Sequence, residues 1–344
     1  MCNEIHVVIN RLDLSDSQNQ HAGATIASVL EHCSKQVVFH IIHDGDKSFK
    51  NMESTKNNIE KYTRLVERYN SNVEFLDSQN IVWDERLPRS IIEKWSSVSL
   101  SRLHLQTIFP NIDHIILLGA DVIVQTDLSK IIDICPQNVS ICGIYDAGIP
   151  YCSTSLKRKL MKNGINTDKY INADVLVFNL EKIRRDNQLL EKSIAYLNKF
   201  PDTPMFEQDV LNVTLENDCH LLPNQYNIMP HICNNDDKYK NQSYNYVLKR
   251  DYILHFAGPK KPWKTTLNSL YVIYWYYLSQ TPWCNDTFQD LLIQNDCVPT
   301  TDGIINNIGN YIWAYHLKKK IKKCWSLTVP LWFELALRYL KIIK

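Results

Sequence analysis

The chain has 344 residues, of which 44% are hydrophobic and 22% are charged, and its net charge is +1 at pH 7. This composition is typical of a soluble globular protein with one large domain or two smaller ones, and the overall charge indicates no nucleic-acid partner. The ten cysteines form no C-x-x-C pair and no zinc spacing, which favours free thiols in a reducing compartment.

No secretory signal and no membrane span is predicted. Residues 1–4 lack a basic region, and the apolar stretch that follows them is short. No run approaches the roughly 20 apolar residues that a bilayer-spanning helix needs. We therefore expect a cytoplasmic protein.

Strands and helices alternate along the first 283 residues, which indicates a mainly parallel α/β sheet. The predicted strands are Ile5–Asn10, Gln36–His43, Asn72–Leu76, His114–Val124, Val139–Tyr145 and Tyr170–Leu180, with a further strand at the start of Ile253–Trp263. The predicted helices are Gln20–His32, Lys56–Tyr69, Ser97–Phe109, Glu181–Phe200, Met205–Glu216 and Ser269–Trp283.

The most informative stretch is residues 114–128, HIILLGADVIVQTDL. Its first apolar run stops at Gly119, so Asp121 lies where a buried strand ends. A carboxylate there is costly to desolvate unless it is paired, hydrogen-bonded or bound to a metal. One interpretation is a turn aspartate that caps the next element. The other is a ligand at the carboxyl end of a strand, where open α/β sheets bind nucleotides.

Three further segments place polar groups at the ends of apolar elements. Asn172 and Asp174 introduce a strand, whereas Glu207 and Gln208 lie in a first helical turn, where an acid also simply suits the helix dipole. A lone histidine on an apolar strand, such as His255, is more often a satisfied core residue than a ligand.

The residues after His255 favour a binding role for it. Gly258 allows close backbone approach, and Lys260 and Lys261 supply ammonium groups suited to phosphates.

The composition changes after Trp283. Residues 285–310 are polar, and from Tyr311 the chain is basic and apolar, with eight cations and one acid between Leu317 and Lys344. A basic amphipathic segment with bulky apolar residues is typical of an element that lies on a membrane surface. A C-terminal helix docked on the domain is the alternative, and we favour the membrane because the cations exceed what solubility needs.

Taken together, these blocks resemble the family 8 retaining glycosyltransferases, which include bacterial lipopolysaccharide galactosyl- and glucosyltransferases. The blocks are RLHL, LLGADVIVQTDL, YINADVLVFNL, EQDVLN, NIMP, HFAGPKKPW and TPW, in that order. The resemblance implies a GT-A type catalytic domain over residues 1–283, with a Rossmann-like mixed, mainly parallel sheet flanked by helices. Residues 284–344 are then a polar linker and a basic amphipathic helical segment.

The resemblance also implies roles by position for ten residues. These are Asp121 and His255 as ligands of a manganese or magnesium ion, Gly258, Lys260 and Lys261 at the nucleotide diphosphate, Arg102, Asn172, Glu207 and Gln208 at the donor sugar, and Asp146 on the acceptor side. Gln208 is expected near the anomeric carbon.

The chain departs from the family pattern at three places. Gly119 stands where the family has the first aspartate of its Asp-x-Asp motif, and Asp174 stands where the family usually has glycine. Residues 13–20 lack the aromatic residue that normally cradles the base. We hypothesise that Asp174 partly replaces the lost charge and contacts the donor. A weaker metal site, metal-independent turnover supported by the lysines, and lost activity are the alternatives.

The predicted function is transfer of a hexose, galactose or glucose, from a UDP-sugar to a glycan or glycolipid acceptor in bacterial surface polysaccharide synthesis. The protein would work on the cytoplasmic face of the membrane, as a peripheral protein. A divalent ion and lysines stabilise the leaving phosphate, while the anomeric centre becomes oxocarbenium-like. Since Gln208 is a poor nucleophile and Glu207 is the only nearby candidate, front-face displacement is preferred over a covalent intermediate.

Two other classes of function are considered. A catalytically weakened family member would serve as a donor-binding or scaffolding subunit of a partner transferase, and Gly119 and the altered stretch of residues 13–20 motivate that alternative. A nucleotidyltransferase would need a glycine-rich phosphate loop after the first strand, and residues 9–17 contain no glycine.

Overall fold

A computed structural model describes residues 4–87, 89–234, 236–264 and 270–284. The strands in these residues are β1 (Glu4–Arg11), β2 (Gln36–His43), β3 (Asn72–Asp77), β4 (His114–Leu118), β5 (Val122–Gln125), β6 (Ile141–Tyr145), β7 (Ile171–Asn179), β8 (Cys219–Leu222) and β9 (Tyr252–His255). The α-helices are α1 (Asn19–His32), α2 (Gly45–Ser48), α3 (Met52–Glu67), α4 (Arg89–Trp95), α5 (Ser97–Leu100), α6 (Leu105–Ile108), α7 (Leu128–Asp133), α8 (Thr154–Lys162), α9 (Leu180–Asp186), α10 (Leu189–Lys199), α11 (Glu207–Thr214), α12 (Asp237–Lys249) and α13 (Tyr271–Ser279).

Seven strands form one sheet in the order β3-β2-β1-β4-β7-β6-β8. Strand β7 is antiparallel to both of its neighbours, β4 and β6, and every other neighbouring pair is parallel. Six strands therefore run in one direction and β7 runs in the other. Strands β5 and β9 pair antiparallel in a separate two-stranded sheet. The prediction of a mixed, mainly parallel sheet is confirmed.

Two hydrophobic layers cover the faces of the large sheet. In β1 and β4 the side chains alternate between the layers, as the pleat requires, so that Val7 and Ile9 of β1 enter one layer and Val8 enters the other. Helices α1, α3 and α13 contribute to the first layer, and helices α4, α9, α10 and α11 contribute to the second. Because both faces are buried, the central strands are apolar along most of their length.

The single strand predicted over His114–Val124 is wrong, because the structure has two strands there. Strand β4 ends at Leu118 and β5 begins at Val122, in the other sheet. The Gly119–Asp121 turn carries the chain from the large sheet to β9, where Val122 pairs directly with His255. This change of sheet places Asp121 beside His255.

Two predicted helices are interrupted. Residues 97–109 form α5, a 3-10 turn over Ser101–Leu103 and α6. The Ser101 hydroxyl donates to the Val98 carbonyl at 2.7 Å, a local bond that competes with regular helix. Residues 181–200 form α9, except for its first residue, and then α10. Asn187 follows α9 at φ +46°, a left-handed conformation that asparagine tolerates. The other predicted elements agree, with ends shifted by a few residues.

Helix α1 holds the backbone of β5. The Thr25 hydroxyl donates to the Val122 carbonyl at 2.8 Å, and the Val124 amide donates to the Ser28 hydroxyl at 2.9 Å. All four residues are buried. The strand that follows Asp121 is therefore anchored by hydrogen bonds from a helix as well as by its pairing with β9.

Trp283, near the end of the described residues, packs against α1 and α3. Its indole nitrogen donates to Asn58 at 2.7 Å, and the residue is 2% exposed. A Cβ on Gly23 of α1 would lie 2.7 Å from two ring carbons of Trp283, so the glycine makes room for the indole.

Residues 285–344 lie outside the described residues. The predicted domain boundary after residue 283 and the basic amphipathic segment therefore stay predictions. Within the described ranges, no helix is long and apolar enough to cross a membrane.

We predict that Gly23→Ala destabilises the protein by about 1–3 kcal/mol, the usual cost of overpacking a core. At a solvent-exposed helical position, the same glycine-to-alanine substitution would raise the free energy of unfolding by about 1 kcal/mol. Urea unfolding of the wild type, Gly23→Ala, Trp283→Ala and the double variant measures the effect. In the Trp283→Ala background the alanine should no longer destabilise, and a single variant as stable as the wild type would contradict this packing.

Candidate active site

Three chain segments meet at one edge of the large sheet. The Gly119 amide, just past β4, donates to the Asp174 carbonyl of β7 at 2.8 Å. The Phe256 amide, just past β9, donates to the Asp121 carbonyl at 3.0 Å. These backbone bonds bring the side chains of Asp121, Asp174 and His255 together, although 134 positions separate Asp121 from His255 in the sequence.

Asp121, Asp174 and His255 each direct one ligand atom at a common point. His255 Nε2 lies 3.6 Å from Asp121 Oδ1 and 3.4 Å from Asp174 Oδ2, and the three ligand atoms lie within 4.8 Å of one another. His255 is buried, and the two carboxylates are partly exposed. Two carboxylates and one imidazole are a ligand set that a divalent ion such as Mn²⁺ accepts.

Asn227 orients the imidazole of His255. Its side-chain oxygen accepts a hydrogen bond from His255 Nδ1 at 2.9 Å, and Asn227 is 1% exposed. With the proton on Nδ1, the lone pair of Nε2 points towards the two carboxylates. Three electron-rich atoms facing one point are stabilised by a cation, and such a buried partner is how proteins hold a metal-binding histidine in the correct tautomer. The residues present therefore fit a metal ion.

Lys261 forms an ion pair with the second carboxylate oxygen of Asp121. The ammonium lies 2.5 Å from Asp121 Oδ2 and donates to the Phe256 carbonyl at 2.6 Å. Burial alone would raise the pKa of Asp121, but His255 and Lys261 outweigh burial and hold that pKa below its ordinary value. Asp121 is therefore an ionised carboxylate with one oxygen towards His255 and one on an ammonium group.

Gly119 leaves the space that the carboxylate of Asp174 fills. A Cβ on Gly119 would lie 2.9 Å from Asp174 Cβ, 3.1 Å from Asp174 Cγ and 3.0 Å from Asp121 Oδ1. A side chain at residue 119 and the present side chain of Asp174 therefore exclude each other. The two departures from the family pattern are one structural feature, and the Asp174 carboxylate lies beside Asp121 and His255. Its compensating role stays a prediction.

Arg102 links the strand that carries Asp174 to the helix that carries Glu207. Its guanidinium donates to the Ala173 carbonyl at 3.1 Å, lies 3.4 Å from Asp174 Oδ1 and lies 3.0 Å from Glu207 Oε1. Burial raises the pKa of Glu207, and Arg102 partly offsets that effect. The acid in this first helical turn is thus part of the cluster and not only a partner of the helix dipole.

Asp146 orients two predicted donor-sugar residues. One of its oxygens accepts hydrogen bonds from Asn172 at 3.0 Å and from Gln208 at 2.8 Å, and the other accepts from the Gly148 amide at 2.8 Å. The side-chain oxygen of Asn172 accepts from the Asp174 amide at 3.0 Å. Because the Gln208 amide nitrogen is engaged by Asp146, the Gln208 oxygen is the atom left for the substrate.

The predicted diphosphate residues differ in how they are placed. Gly258 is exposed and has φ +78°, which a residue with a side chain adopts only under strain. Lys261 joins the metal-ligand cluster, whereas Lys260 is exposed and uses its backbone oxygen to accept from Tyr271 at 2.7 Å. The structure thus brings Lys261, and not the ammonium of Lys260, to Asp121.

Sequence reasoning did not single out Asn227 or His231. Both belong to residues 227–231, NIMPH. Only the NIMP part of this stretch is a block of the family resemblance. The signal was available, because an asparagine and a histidine flank this short apolar stretch. What the sequence did not carry was the parallel bridge between Ile228 and Leu254, which sets this stretch beside β9.

A family model described as glycosyl transferase family 8 matches residues 12–266. The chain belongs to this family. It is 25% identical over 280 residues to general stress protein A of Bacillus subtilis, a match that covers 78% of this chain and 92% of that protein. It is 27% identical over 207 residues to the lipopolysaccharide 1,2-glucosyltransferase of Escherichia coli K12, covering 57% of this chain and 58% of that protein.

A solved structure supports the fold assignment. The galactosyltransferase LgtC, in complex with donor and acceptor sugar analogues, superposes with a TM-score of 0.61 at 18% identity, covering 81% of this chain and 96% of that chain. This likeness concerns the fold and confirms the predicted GT-A type. With the family match, it confirms the prediction of an enzyme of the hexosyltransferase class.

We predict that Asp146→Asn lowers the turnover number for donor cleavage about 100-fold, the order expected when a reacting group is misplaced. The new amide nitrogen faces either the Gly148 amide or both Asn172 and Gln208, so in either orientation an N–H of this network loses its acceptor. The group that orients Gln208 is thereby disturbed. Steady-state kinetics with a UDP-hexose measure the effect, with the exposed Asp133→Asn as the matched control. Unchanged turnover in Asp146→Asn would show that Gln208 does not depend on Asp146.

Proposed function

We propose that the chain transfers glucose or galactose from a UDP-sugar to a glycan or glycolipid acceptor in bacterial surface polysaccharide synthesis, with retention of anomeric configuration. The observation that carries the proposal is the convergence of Asp121, Asp174 and His255 beside Lys261 on a family 8 fold. Such an arrangement stabilises a leaving nucleotide diphosphate. The diphosphate is already negatively charged, and it gains more negative charge as its bond to the sugar breaks.

Asp121 Oδ1, Asp174 Oδ2 and His255 Nε2 would hold a divalent ion, Mn²⁺ or Mg²⁺. When bound, the ion supplies electrophilic stabilisation of the diphosphate leaving group. Lys261 adds a positive charge on the same side, and Gly258 gives the diphosphate room to approach the backbone. Asn227 keeps the imidazole in the tautomer that the ion requires.

Gln208 is the residue that we assign to the reacting anomeric carbon. Its side-chain oxygen is directed away from Asp146 and is suited to stabilise positive charge at the anomeric centre. An amide oxygen is a poor nucleophile, and the carboxylate of Glu207 is engaged by Arg102. Retention then follows from front-face displacement, in which the leaving phosphate accepts the proton of the acceptor hydroxyl.

The choice of sugar and acceptor rests on the relatives. The Escherichia coli relative is named as a lipopolysaccharide glucosyltransferase, and the solved structure is named as a galactosyltransferase. Both names specify hexoses, which supports a UDP-glucose or UDP-galactose donor. Peripheral attachment to the cytoplasmic membrane face through residues 311–344 is part of the proposal and rests on their sequence alone.

The alternative of a catalytically weakened donor-binding or scaffolding subunit is not favoured. One of its two motivations was the missing carboxylate at Gly119, and a carboxylate from Asp174 lies next to that position. Arg102, Gln208, His255 and Lys261 are all present and in contact with other members of the cluster.

The test of the proposed function is donor hydrolysis by the purified full chain. UDP-glucose, UDP-galactose and other UDP-hexoses are incubated with Mn²⁺ or with EDTA, and released UDP is measured. We expect one donor to be cleaved, with loss of most of the rate in EDTA. Cleavage that is indifferent to EDTA would remove the metal from the mechanism, and no cleavage together with no UDP-sugar binding by calorimetry would favour the scaffold.

We predict that Asp174→Gly weakens Mn²⁺ binding by more than about 10-fold, since loss of even an indirect metal contact has an effect of this size. Gly119→Asp alone collides with Asp174, so it should destabilise the protein. The double variant moves the carboxylate to the opposite strand and should recover Mn²⁺ binding. Calorimetric titration with Mn²⁺ in the presence of UDP provides the measurement, and Mn²⁺ affinity unchanged in Asp174→Gly would eliminate Asp174 as a ligand.

A further inference from the structure

His231 lies against Gly258, at the edge of the site. The residue follows Pro230 and precedes the 3-10 turn Ile232–Asn234. Its imidazole atoms Cδ2 and Nε2 both lie 3.6 Å from the position that a Cβ on Gly258 would occupy. The ring therefore packs on the backbone of the glycine whose positive φ opens this part of the chain to a ligand.

The two ring nitrogens of His231 differ in their surroundings. Nδ1 is buried and has no hydrogen-bond partner within the described residues, whereas Nε2 is not enclosed in this way. A proton on Nδ1 would leave a buried N–H without an acceptor, which is costly. The proton is therefore favoured on Nε2, so the imidazole presents an N–H donor on its open side.

Charged groups of both signs influence His231. Lys261 and Lys260 act on it as cations, as does His255 when it is protonated, and Asp146 acts on it as an anion. Burial, followed by His255, lowers the pKa of His231, and the lysines lower it further, so the ring is neutral near pH 7. Asp146 already accepts three hydrogen bonds from other groups and makes none to His231.

A neutral N–H donor beside two lysines suits an anionic acceptor. The lysines attract an anion to this place, and the histidine adds a directed hydrogen bond without a further positive charge that would repel the metal. A hydrogen bond to a charged phosphate oxygen is stronger than one to a neutral hydroxyl. The donor lies against the glycine backbone, and Lys261 is near enough to influence its charge, so these groups are suited to one phosphate.

We propose that His231 Nε2–H donates a hydrogen bond to the terminal phosphate of the nucleotide diphosphate, and so makes the site select diphosphates over monophosphates. The inference rests on the proposed function, because it takes the donor to be a nucleotide diphosphate sugar. It adds a binding residue, next to Gly258, that contacts the phosphate whose bond to the sugar is broken at each turnover.

The test compares UDP with UMP, which lacks the phosphate in question. Calorimetric titration with each nucleotide in the presence of Mn²⁺ is carried out on the full chain and on His231→Ala, His231→Gln and His231→Asn. We expect His231→Ala to bind UDP about 10-fold or more weakly, with its UMP affinity unchanged. A glutamine amide nitrogen reaches approximately the place of Nε2 and an asparagine amide that of Nδ1, so only the glutamine variant should recover UDP binding.

His220→Ala is the matched control, because His220 is an exposed histidine on β8. Equal weakening of UDP and UMP in His231→Ala would mean a structural role and would overturn the proposal, as would unchanged UDP binding. Failure of the proposed function looks different, since the wild type itself would then bind neither UDP nor the diphosphates of the other bases. A thermal unfolding curve for each variant confirms that the titrated protein is folded.

Discussion

Mutual repulsion between acidic groups is the constraint on which this site depends. Two carboxylates about 5 Å apart repel by roughly 3 kcal/mol at an effective dielectric constant of 20. The protein holds Asp121 and Asp174 at such a separation by giving each its own cation, Lys261 for Asp121 and Arg102 for Asp174. Glu207 shares Arg102, so three carboxylates stand against two cations. The remaining negative charge favours a divalent cation at the centre and opposes occupation by a bare diphosphate.

The sheet topology provides the rigidity that this arrangement needs. Strand β7 runs against its neighbours, so the end of β7 that carries Asp174 lies beside the end of β4. The chain then leaves the large sheet at Asp121 and pairs with β9, which supplies His255. Hydrogen bonds from Thr25 and Ser28 of α1 hold this second pairing in place. Each ligand therefore comes from the end of a hydrogen-bonded strand, where its backbone has little freedom.

Local patterns in the sequence predicted most of the fold and part of the site. Apolar runs bounded by turn residues located the strands, and the family resemblance brought Asp121 and His255 together in advance. The change of sheet at Gly119 was missed, because an apolar run on either side of a short turn has the same pattern in one long strand as in two. The break at Asn187 was missed as well, since a left-handed residue inside a charged helical stretch gives no apolar signal. Asn227 and His231 depend on a bridge between distant segments, which no local pattern reports.

The pair Gly119 and Asp174 shows how a site with a changed sequence motif still presents a second carboxylate beside Asp121 and His255. The two residues face each other across neighbouring strands, and the distances from a Cβ on residue 119 leave room for one acidic side chain between them. A carboxylate supplied from either strand reaches the same volume, because the backbone bond between Gly119 and Asp174 holds the strands in register. Loss of the first aspartate of a motif is therefore not by itself a sign of lost metal binding. The residue on the facing strand has to be considered with it, since the two positions share one space and one charge.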